Sequence, residues 1–594
     1  MSKVGREVVV YLEYPLQNQT EFVGEVCKGQ ERDILRRSNQ IGGREMLRPD
    51  FRAEIPEETV KVARAAFPNG NLYLSLRDTL GAIFEDEAFQ DLYPTLGQPA
   101  ESPGRLALIT VMQYVENLSD RQAAEAVRSR IDWKYMLGLS LEDPGFDFSV
   151  LSEFRQRLLQ GEAETLLLEK LLERCETLGF LKGKKKQRTD STHVLAAVRA
   201  LSLLELVGET MRRVLDEAAR LAPEWLREQM KEEWRKRYER RFDGYRLPTS
   251  PAKREELAVA IGEDGFYLLQ AIYSETCPAE LKTSPKVELF QRIWIQQYYW
   301  CEGKVYWRTK EKWGQPPSGK MIASPDDQEA RYCVKRSTEW TGYKVHLTET
   351  CQEDAPRLIT HVETTPSTIH DTKVTIRIQE DLAAKDRSPQ THLVDEGYME
   401  IDLLLESQQQ GIDLVGPVPS SKSWQDRVAG AYDHTQFHID WEHRQVICPQ
   451  GKVSMRCSER KTWRGTPNFV FTFDNKDCLP CPVREHCSRA KNVGRTLTLY
   501  PQQQYEAQLE ARKRQQTEAF KDLYAQRAGI ESTISQGTRR TGMRSARYIG
   551  LARIHLQHTA SAAAINFARL FEWLRGERPK DAWVSPFLAL ATPT

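Results

Sequence analysis

Apolar residues recur at intervals of three and four along Leu106, Leu108, Ile109, Met112 and Val115, which predicts a helix opening near Ser102-Pro103. Leu118-Ser119-Asp120-Arg121-Gln122 carries the Ser and Gln of an N-terminal cap and predicts a second helix. A third is predicted over 147–158, capped by Asp147, with Arg155 and Arg157 on its polar side. Short helices with tight connections suit a helix-turn-helix-like module and a plain helical bundle equally well. Farther along, the period falls to two. Strands are predicted around 190–194, 342–347, 357–362, 391–394 and 412–417.

Between 200 and about 330 the pattern is helical and charged again. Leu201, Leu204, Leu206 and Val207 open a helix, and aromatic residues gather at Trp294, Tyr298, Tyr299 and Trp300. A structureless loop of that length is improbable, so a helical subdomain is expected there. A second interruption, 418–495, is rich in cysteine. The first 80 residues contain one strand-like run, Glu7-Val-Val-Val-Tyr11, in polar sequence that predicts no fold. At 594 residues the chain exceeds what one core supports, so several domains or large insertions are expected. No apolar run reaches the roughly 18 residues of a membrane span, and residues 1–10 lack the pattern of a signal peptide, which predicts a cytoplasmic protein without a membrane partner.

Lys plus Arg and Asp plus Glu both number 84, so net charge points to no polyanionic partner. Basic residues do cluster: Lys182-Gly-Lys-Lys-Lys-Gln-Arg188, Arg235-Lys-Arg-Tyr-Glu-Arg-Arg241, and Arg539, Arg540, Arg544 and Arg547. The first cluster precedes Asp190 and the last follows Glu531. Asp190 lies on the first predicted strand of the sheet, Asp395 ends the fourth, and Glu531 falls on a helix after the fifth. Antiparallel strands followed by parallel ones, with strand-borne and helix-borne carboxylates at one edge, make up a ribonuclease-H-like arrangement. The expected class is therefore α/β, a mixed sheet flanked by helices. Tyr524, Arg527 and Glu531, offset by three and seven, are expected on one stripe of one helix. Phenol, guanidinium and carboxylate suit a surface holding phosphates and a metal, while Arg527 and Glu531 also have the spacing of an intrahelical ion pair.

Five of the eleven cysteines lie between 448 and 487. Cys478-Leu-Pro-Cys481, Cys487 and Cys448 could complete a tetrahedral zinc site that holds together a segment too small for its own core, leaving Cys457 over. Reduced structural thiols are the alternative. The remaining six cysteines read as ordinary buried thiols.

The Tyr-x2-Arg-x3-Glu pattern resembles the signature of DDE transposases of bacterial insertion sequences, in the insertion-sequence-four and -five superfamily. Supporting text is Thr189-Asp-Ser-Thr-His-Val194, Gly342-Tyr-Lys-Val-His346, Val394-Asp-Glu-Gly-Tyr398, Arg547-Tyr-Ile-Gly-Leu-Ala552 and Ala564-Ile-Asn-Phe567. Residues 93–158 are similar to the N-terminal domain of the same enzymes, and the likeness spans about 90–575. Where the pattern has a basic residue at 538 this chain has Thr538, with Arg539 or Arg540 next to it.

The resemblance implies an unassigned segment over 1–85, a helical DNA-binding domain over 86–180, and a ribonuclease-H-like catalytic core built from 181–199, 330–417 and 496–576. It also implies a helical insertion at 200–329, a zinc-ribbon-like insertion at 418–495 and a tail at 577–594. Asp190, Asp395 and Glu531 are the implied ligands of two Mg2+ or Mn2+ ions, with Asp190 bridging and Glu396 a lesser candidate. Tyr524, Arg527, Arg539, Arg540, Arg544 and Lys344 are the implied DNA contacts. His193 reads as a hydrogen-bonding neighbour. One of Trp424, Trp441 and Trp463 is a candidate for stacking on an extruded base, with packing as the plainer role. The implied partners are double-stranded DNA, as terminal inverted repeats and target, and a second copy of the chain on paired ends. The alternatives are a metal-dependent DNA nuclease without strand transfer and a non-catalytic, transposase-derived DNA-binding regulator.

Overall fold

The computed structural model describes residues 45–46 and 54–577, apart from 95, 97, 182–184, 200, 310–313, 419–422, 462–464 and 466. The run at 7–11, Cys27, Lys182, Lys184, Trp463 and most of the tail lie outside the described residues.

Helices occupy the N-terminal region: α1 (Glu57–Ala66), α2 (Leu72–Leu80), α3 (Pro103–Val115), α4 (Asp120–Ser129), α5 (Ile131–Leu137), α6 (Ser149–Gln160) and α7 (Leu166–Thr177). Ser102 caps α3, with Pro103 in the first turn where its missing N–H costs nothing. The Ser119/Gln122 capping box opens α4, and Asp147 accepts from Ser149 N at 2.9 Å ahead of α6. The helices begin well before residue 86, and Tyr73, Leu76 and Leu80 share a core with Leu106 and Met112. Arg155, expected on a polar face, is buried, because Asp120 of α4 supplies its counter-charge. Arg157 lies over the ring of Tyr93, 4.8 Å from its centroid.

The next stretch, with α8 (Leu203–Leu221), α9 (Pro251–Ile272) and α10 (Pro285–Gln297), has a separate apolar core around Trp225, Trp234 and Trp294. Gly265 lets α9 approach Trp294: a Cβ there would lie 2.1 Å from the indole.

Six strands form the principal sheet: β1 (Lys186–Leu195), β2 (Arg331–Lys335), β3 (Thr338–Thr350), β4 (Ile359–Pro366), β5 (Thr391–Leu393) and β6 (Asp413–Val415). Their order is β6-β5-β1-β3, with β2 and β4 sharing the far edge of β3. β1, β3 and β4 run antiparallel to one another in turn, whereas β5 pairs parallel to β1 and β6 parallel to β5. This is a mixed α/β fold whose sheet is consistent with a ribonuclease-H-like core. All five predicted strands are present; β2 is additional. Helices α11 (Thr375–Ala384) and α12 (Ile401–Gln409) pack with Val394 and Leu414 at the parallel end.

The cysteine-rich segment contains a three-stranded antiparallel sheet of β7 (Arg456–Lys461), β8 (Pro467–Thr472) and β9 (Thr496–Leu499). Elsewhere Cys175, Cys277 and Cys351 are buried as expected, but Cys301 and Cys333 are only partly so, since they sit on a two-stranded hairpin and on the outlying β2.

Four helices close the chain: α13 (Gln502–Gln515), α14 (Glu518–Ala525), α15 (Gly529–Thr541) and α16 (Leu551–Leu574). Ala560, Ala562, Ala563 and Ala564 are buried, and small side chains let α16 approach both the sheet and the N-terminal helices. Asn566 of α16 clasps the backbone of Ile359, accepting at 2.8 Å and donating at 2.9 Å.

Candidate active site

Parallel pairing of β1 and β5 brings the two aspartates together. Arg188 is in register with Leu393. Asp190 comes two residues farther along β1 and Asp395 two residues past Leu393, just beyond the end of β5, near enough for the charge of Asp395 to act on the Asp190 carboxyl. Asp190 Oδ1 accepts from Ser191 N at 2.7 Å. Asp395 follows the end of β5 and caps a 3-10 turn, its Oδ1 accepting from Gly397 N at 2.9 Å. Burial pushes the Asp190 carboxyl up to about 6, and the charge of Asp395 adds to the rise against the pull of Arg527 and Lys335.

Glu531 enters from α15. It lies in the first helical turn, where the exposed N–H groups favour an anion. Its carboxylate is 3.5 Å from Arg527 Nη2, and Arg527 Nη1 donates to Asp190 Oδ2 at 2.9 Å. One guanidinium thus joins the strand acid to the helix acid. Glu531 remains 69 % exposed, whereas the Asp190 side chain is 15 % exposed.

The expected single helix carrying Tyr524, Arg527 and Glu531 is interrupted. Tyr524 ends in α14, Gln526–Ala528 form a 3-10 turn, and α15 starts at Gly529. The cause is tertiary. Arg188 extends from β1 to donate to the Gln526 carbonyl and lies against Gly529, where a Cβ would be 2.2 Å from Nη1. The turn keeps Tyr524 hydrogen-bonded to Arg527. Arg188 is itself buried and paired with Glu349, so the end of the first basic cluster serves the core rather than a phosphate track.

This geometry carries a prediction. In an ordinary helix, Gly→Ala adds about 1 kcal/mol of stability. Gly529→Ala should instead destabilise the protein by roughly 1–3 kcal/mol, because the methyl group meets a guanidinium that Glu349 holds in place. Urea denaturation measures it, and a raised midpoint would show that Arg188 moves aside freely.

A groove of about 880 Å3 opens beside Asp395, lined by Lys335, Trp340, Lys344, Asp371, Asp395, Glu396 and Tyr524 among others; Asp190 and Glu531 do not line it. Asp371 is a site residue that the sequence pattern did not disclose. The surroundings of Gly397 show why it belongs here: a Cβ built there would be 3.0 Å from Asp395 Oδ1 and 3.2 Å from Asp371 Oδ2. Burial works upward on the Asp371 carboxyl, but Lys344 beside it holds it below the usual range. The signal available in sequence was an Asp at a turn just after the third core strand. Lys344, an implied DNA contact, is held within the protein: its Nζ donates to Asp371 at 2.8 Å and to the Ile369 carbonyl at 2.6 Å.

Among the basic residues, Arg544 donates to Thr192 Oγ1 at 2.8 Å, within two residues of Asp190. Arg539 is exposed, with Ser535 beside it, and Arg540 lies 3.3 Å from Glu572. Arg547 packs over Tyr114 and binds the Leu118 carbonyl at 3.2 Å, which joins it to α3. His193 lies against Trp340, ring centroids 5.6 Å apart.

Asp190, Asp395, Asp371 and Glu531 present oxygen donors only, which fits a hard divalent cation such as Mg2+. Asp190, Asp395 and Glu531 do not all lie within 4.8 Å of one another, and Arg527 is the cation between two of them.

Cys448, Cys478, Cys481 and Cys487 line one cavity of about 310 Å3. Burial pushes the Cys487 thiol up, and Cys478, Cys481 and Cys448 add to that rise. Backbone N–H groups of Lys452 and Arg495 donate to Cys448 Sγ and Cys478 Sγ, each at 3.4 Å. Cys457 lies on β7 and does not line the cavity. No three of the four sulfurs come within 4.8 Å of one another, wider than the roughly 3.8 Å implied by tetrahedral bonds to zinc of about 2.3 Å. Trp424 lies beneath Arg489, 4.3 Å from its ring centroid, and Trp441 packs on Tyr505 at 5.6 Å.

The class these features define is a mixed α/β protein with one acid midway along a strand and a second just past the end of the parallel neighbour. Residues 447–571 match the family model described as a transposase DDE domain, and residues 61–157 match one described as a transposase domain. The two matches indicate a DDE-type transposase of the insertion-sequence kind. No curated protein matches the chain. Among the described residues no helix is long and apolar enough to cross a membrane.

Proposed function

We propose that the protein cleaves the ends of a DNA transposon and joins them to target DNA, with Asp190, Asp395 and Glu531 as the ligands of two divalent ions, Mg2+ or Mn2+. The observation that supports this reading is the parallel pairing of β1 with β5, which brings Asp190 near Asp395, with Arg527 linking Asp190 to Glu531. Such ions, when bound, stabilise charge on the attacking and leaving oxygens of an in-line displacement at phosphorus. Asp190, near Asp395 and joined to Glu531 through Arg527, would help to hold both ions. Arg527 and Tyr524 hold the phosphates beside the scissile bond, and Arg539, Arg540 and Arg544 contact the DNA backbone farther from it. In the first reaction a water oxygen bonds to phosphorus as the 3′ oxygen leaves; in the second the freed 3′ hydroxyl oxygen bonds to a target-strand phosphorus as that strand's own 3′ oxygen leaves.

The same reading makes the helices at 86–180 a DNA-binding domain, 200–329 a helical insertion, and 418–495 an insertion closed by zinc on Cys448, Cys478, Cys481 and Cys487. It places the protein in the bacterial cytoplasm, at the nucleoid, and on paired ends as a homodimer.

Incubating the full chain with Mg2+, DNA carrying its terminal inverted repeats and a target plasmid tests the proposal. Covalently joined products are expected. Cleavage without joining would make the protein a nuclease, and binding without cleavage would make it a regulator. Zinc has its own check: Cys478→Ser with Cys481→Ser should lower bound zinc by one equivalent in elemental analysis, and an unchanged zinc content would remove the ribbon.

A further inference from the structure

His361 and Glu363 alternate along β4 and therefore project from the same face of that strand. Asp381 of α11 joins them. Ligand-capable atoms of all three lie within 4.8 Å of one another, and they form such a group among the described residues where the acids of the groove do not. They line a cavity of about 140 Å3 whose other walls include Glu169 of α7 and His555 of α16. None of its lining residues borders the groove beside Asp395.

A second observation points to a ligand. His361 is 5 % exposed, and its Nε2 has no hydrogen-bond partner; the Asp381 Oδ2 that faces it is 3.8 Å away, too far for a hydrogen bond. A buried imidazole nitrogen left unpaired is costly unless something occupies the space in front of it. The neighbouring cations are already engaged. Arg377 is paired with Glu363, and Lys385 donates to Glu169 at 2.7 Å. His555 has Nδ1 3.2 Å from Thr364 Oγ1.

We propose that His361, Glu363 and Asp381 form a second metal site, distinct from the acids of the groove, that takes a divalent transition-metal ion of the zinc type. Mixed imidazole and carboxylate donors favour zinc over Mg2+, which prefers oxygen alone. His555 is near enough to the same cavity to serve as an additional ligand after a side-chain adjustment. The ion would pin the edge strand β4 to α11 at the place where α7 and α16 meet the sheet, so its effect is on stability and not on the reaction.

The test uses the full chain stripped with a chelator and titrated with Co2+ in excess Mg2+, Co2+ reporting its ligands by absorption. In the Cys478→Ser, Cys481→Ser background, which removes the proposed cysteine site, a band set of nitrogen–oxygen type without sulfur-to-metal charge transfer is expected, together with a rise in Tm. Asp381→Asn and His361→Gln should weaken this binding at least about tenfold, while Asp190→Asn and Cys478→Ser keep it. Asp381 has a side chain 45 % exposed, so its substitution leaves the packing in place and decides the matter if His361→Gln fails to fold. Cobalt affinity in Asp381→Asn within twofold of the unaltered protein, with unchanged circular dichroism, overturns the proposal.

Discussion

Asp190→Asn abolishes strand cleavage, lowering the rate by on the order of a thousandfold or more, which is about 4 kcal/mol of transition-state stabilisation. DNA binding should survive, because phosphate contacts come from other residues. Asp395→Asn should match it, and Glu531→Gln should follow, although its exposed position allows water to replace part of its role. Cleavage within tenfold of the unaltered rate in Asp190→Asn would end the proposed chemistry. The same substitution has a signature in stability. The Asp190 carboxyl is raised to about 6 when folded, from about 3.8 when unfolded, so the folded state holds its proton more tightly. Its contribution is then fully present below pH 4 and lost as pH rises through 6. In metal-free protein, Tm should accordingly fall more between pH 4 and 7 than it does in Asp190→Asn. The difference isolates this carboxyl from the buried histidines, whose depressed values act in the opposite direction. Divalent ions should restore the unaltered protein and leave the variant unchanged.

Glu349→Gln should destabilise the protein by about 3–5 kcal/mol, the cost of removing one member of a buried ion network. Glu349 is fully buried between Arg188 Nε at 2.7 Å and Arg569 Nη1 at 2.6 Å, and accepts from Thr533 Oγ1 at 2.6 Å. Gln preserves the shape but leaves two guanidiniums without a full counter-charge. Thr533 is on α15, two residues from Glu531, so the variant should also lose cleavage without touching any proposed metal ligand. The pH dependence has the opposite sign to that of Asp190. Burial alone would raise the Glu349 carboxyl, but Arg569 and Arg188 hold it below its ordinary value. Its stabilisation is present above the unfolded value near 4.5 and lost as pH falls through the depressed one. The unaltered protein should therefore lose stability on acidification through this range, and the loss should be shallower in Glu349→Gln, which has no carboxyl to protonate. An unchanged urea midpoint at pH 7 in that variant would show that the network contributes nothing net.

Much of the sheet was legible because half-buried strands alternate, and the runs ending in Asp395 and containing Asp190 did so clearly. β2 escaped notice since Tyr332 and Val334 are exposed, leaving no apolar face to read. The three acids were legible from their local settings, while Glu349 and Asp371 were not: each is defined by partners far away in the chain, Arg569 and Lys344. The 3-10 turn at Gln526–Ala528 was invisible for the same reason, because nothing in Gln-Arg-Ala opposes a continuous helix. Arg155 and Arg188 show the limit of reading basic residues as surface; each turned inward to an acid that only folding supplies.

Helix α16 has a consequence for synthesis of the chain. Ile554, Leu556, Ile565 and Phe567 complete the apolar core that begins with Tyr73 and Leu106. At about 5–20 residues per second, the ribosome reaches this helix roughly 20–75 s after completing α7. Until then the N-terminal helices pack only on one another, without the part of the core that α16 supplies. A chain ending before Leu551 is expected to leave that apolar face uncovered and to sediment with the insoluble fraction, which centrifugation of such a fragment would measure.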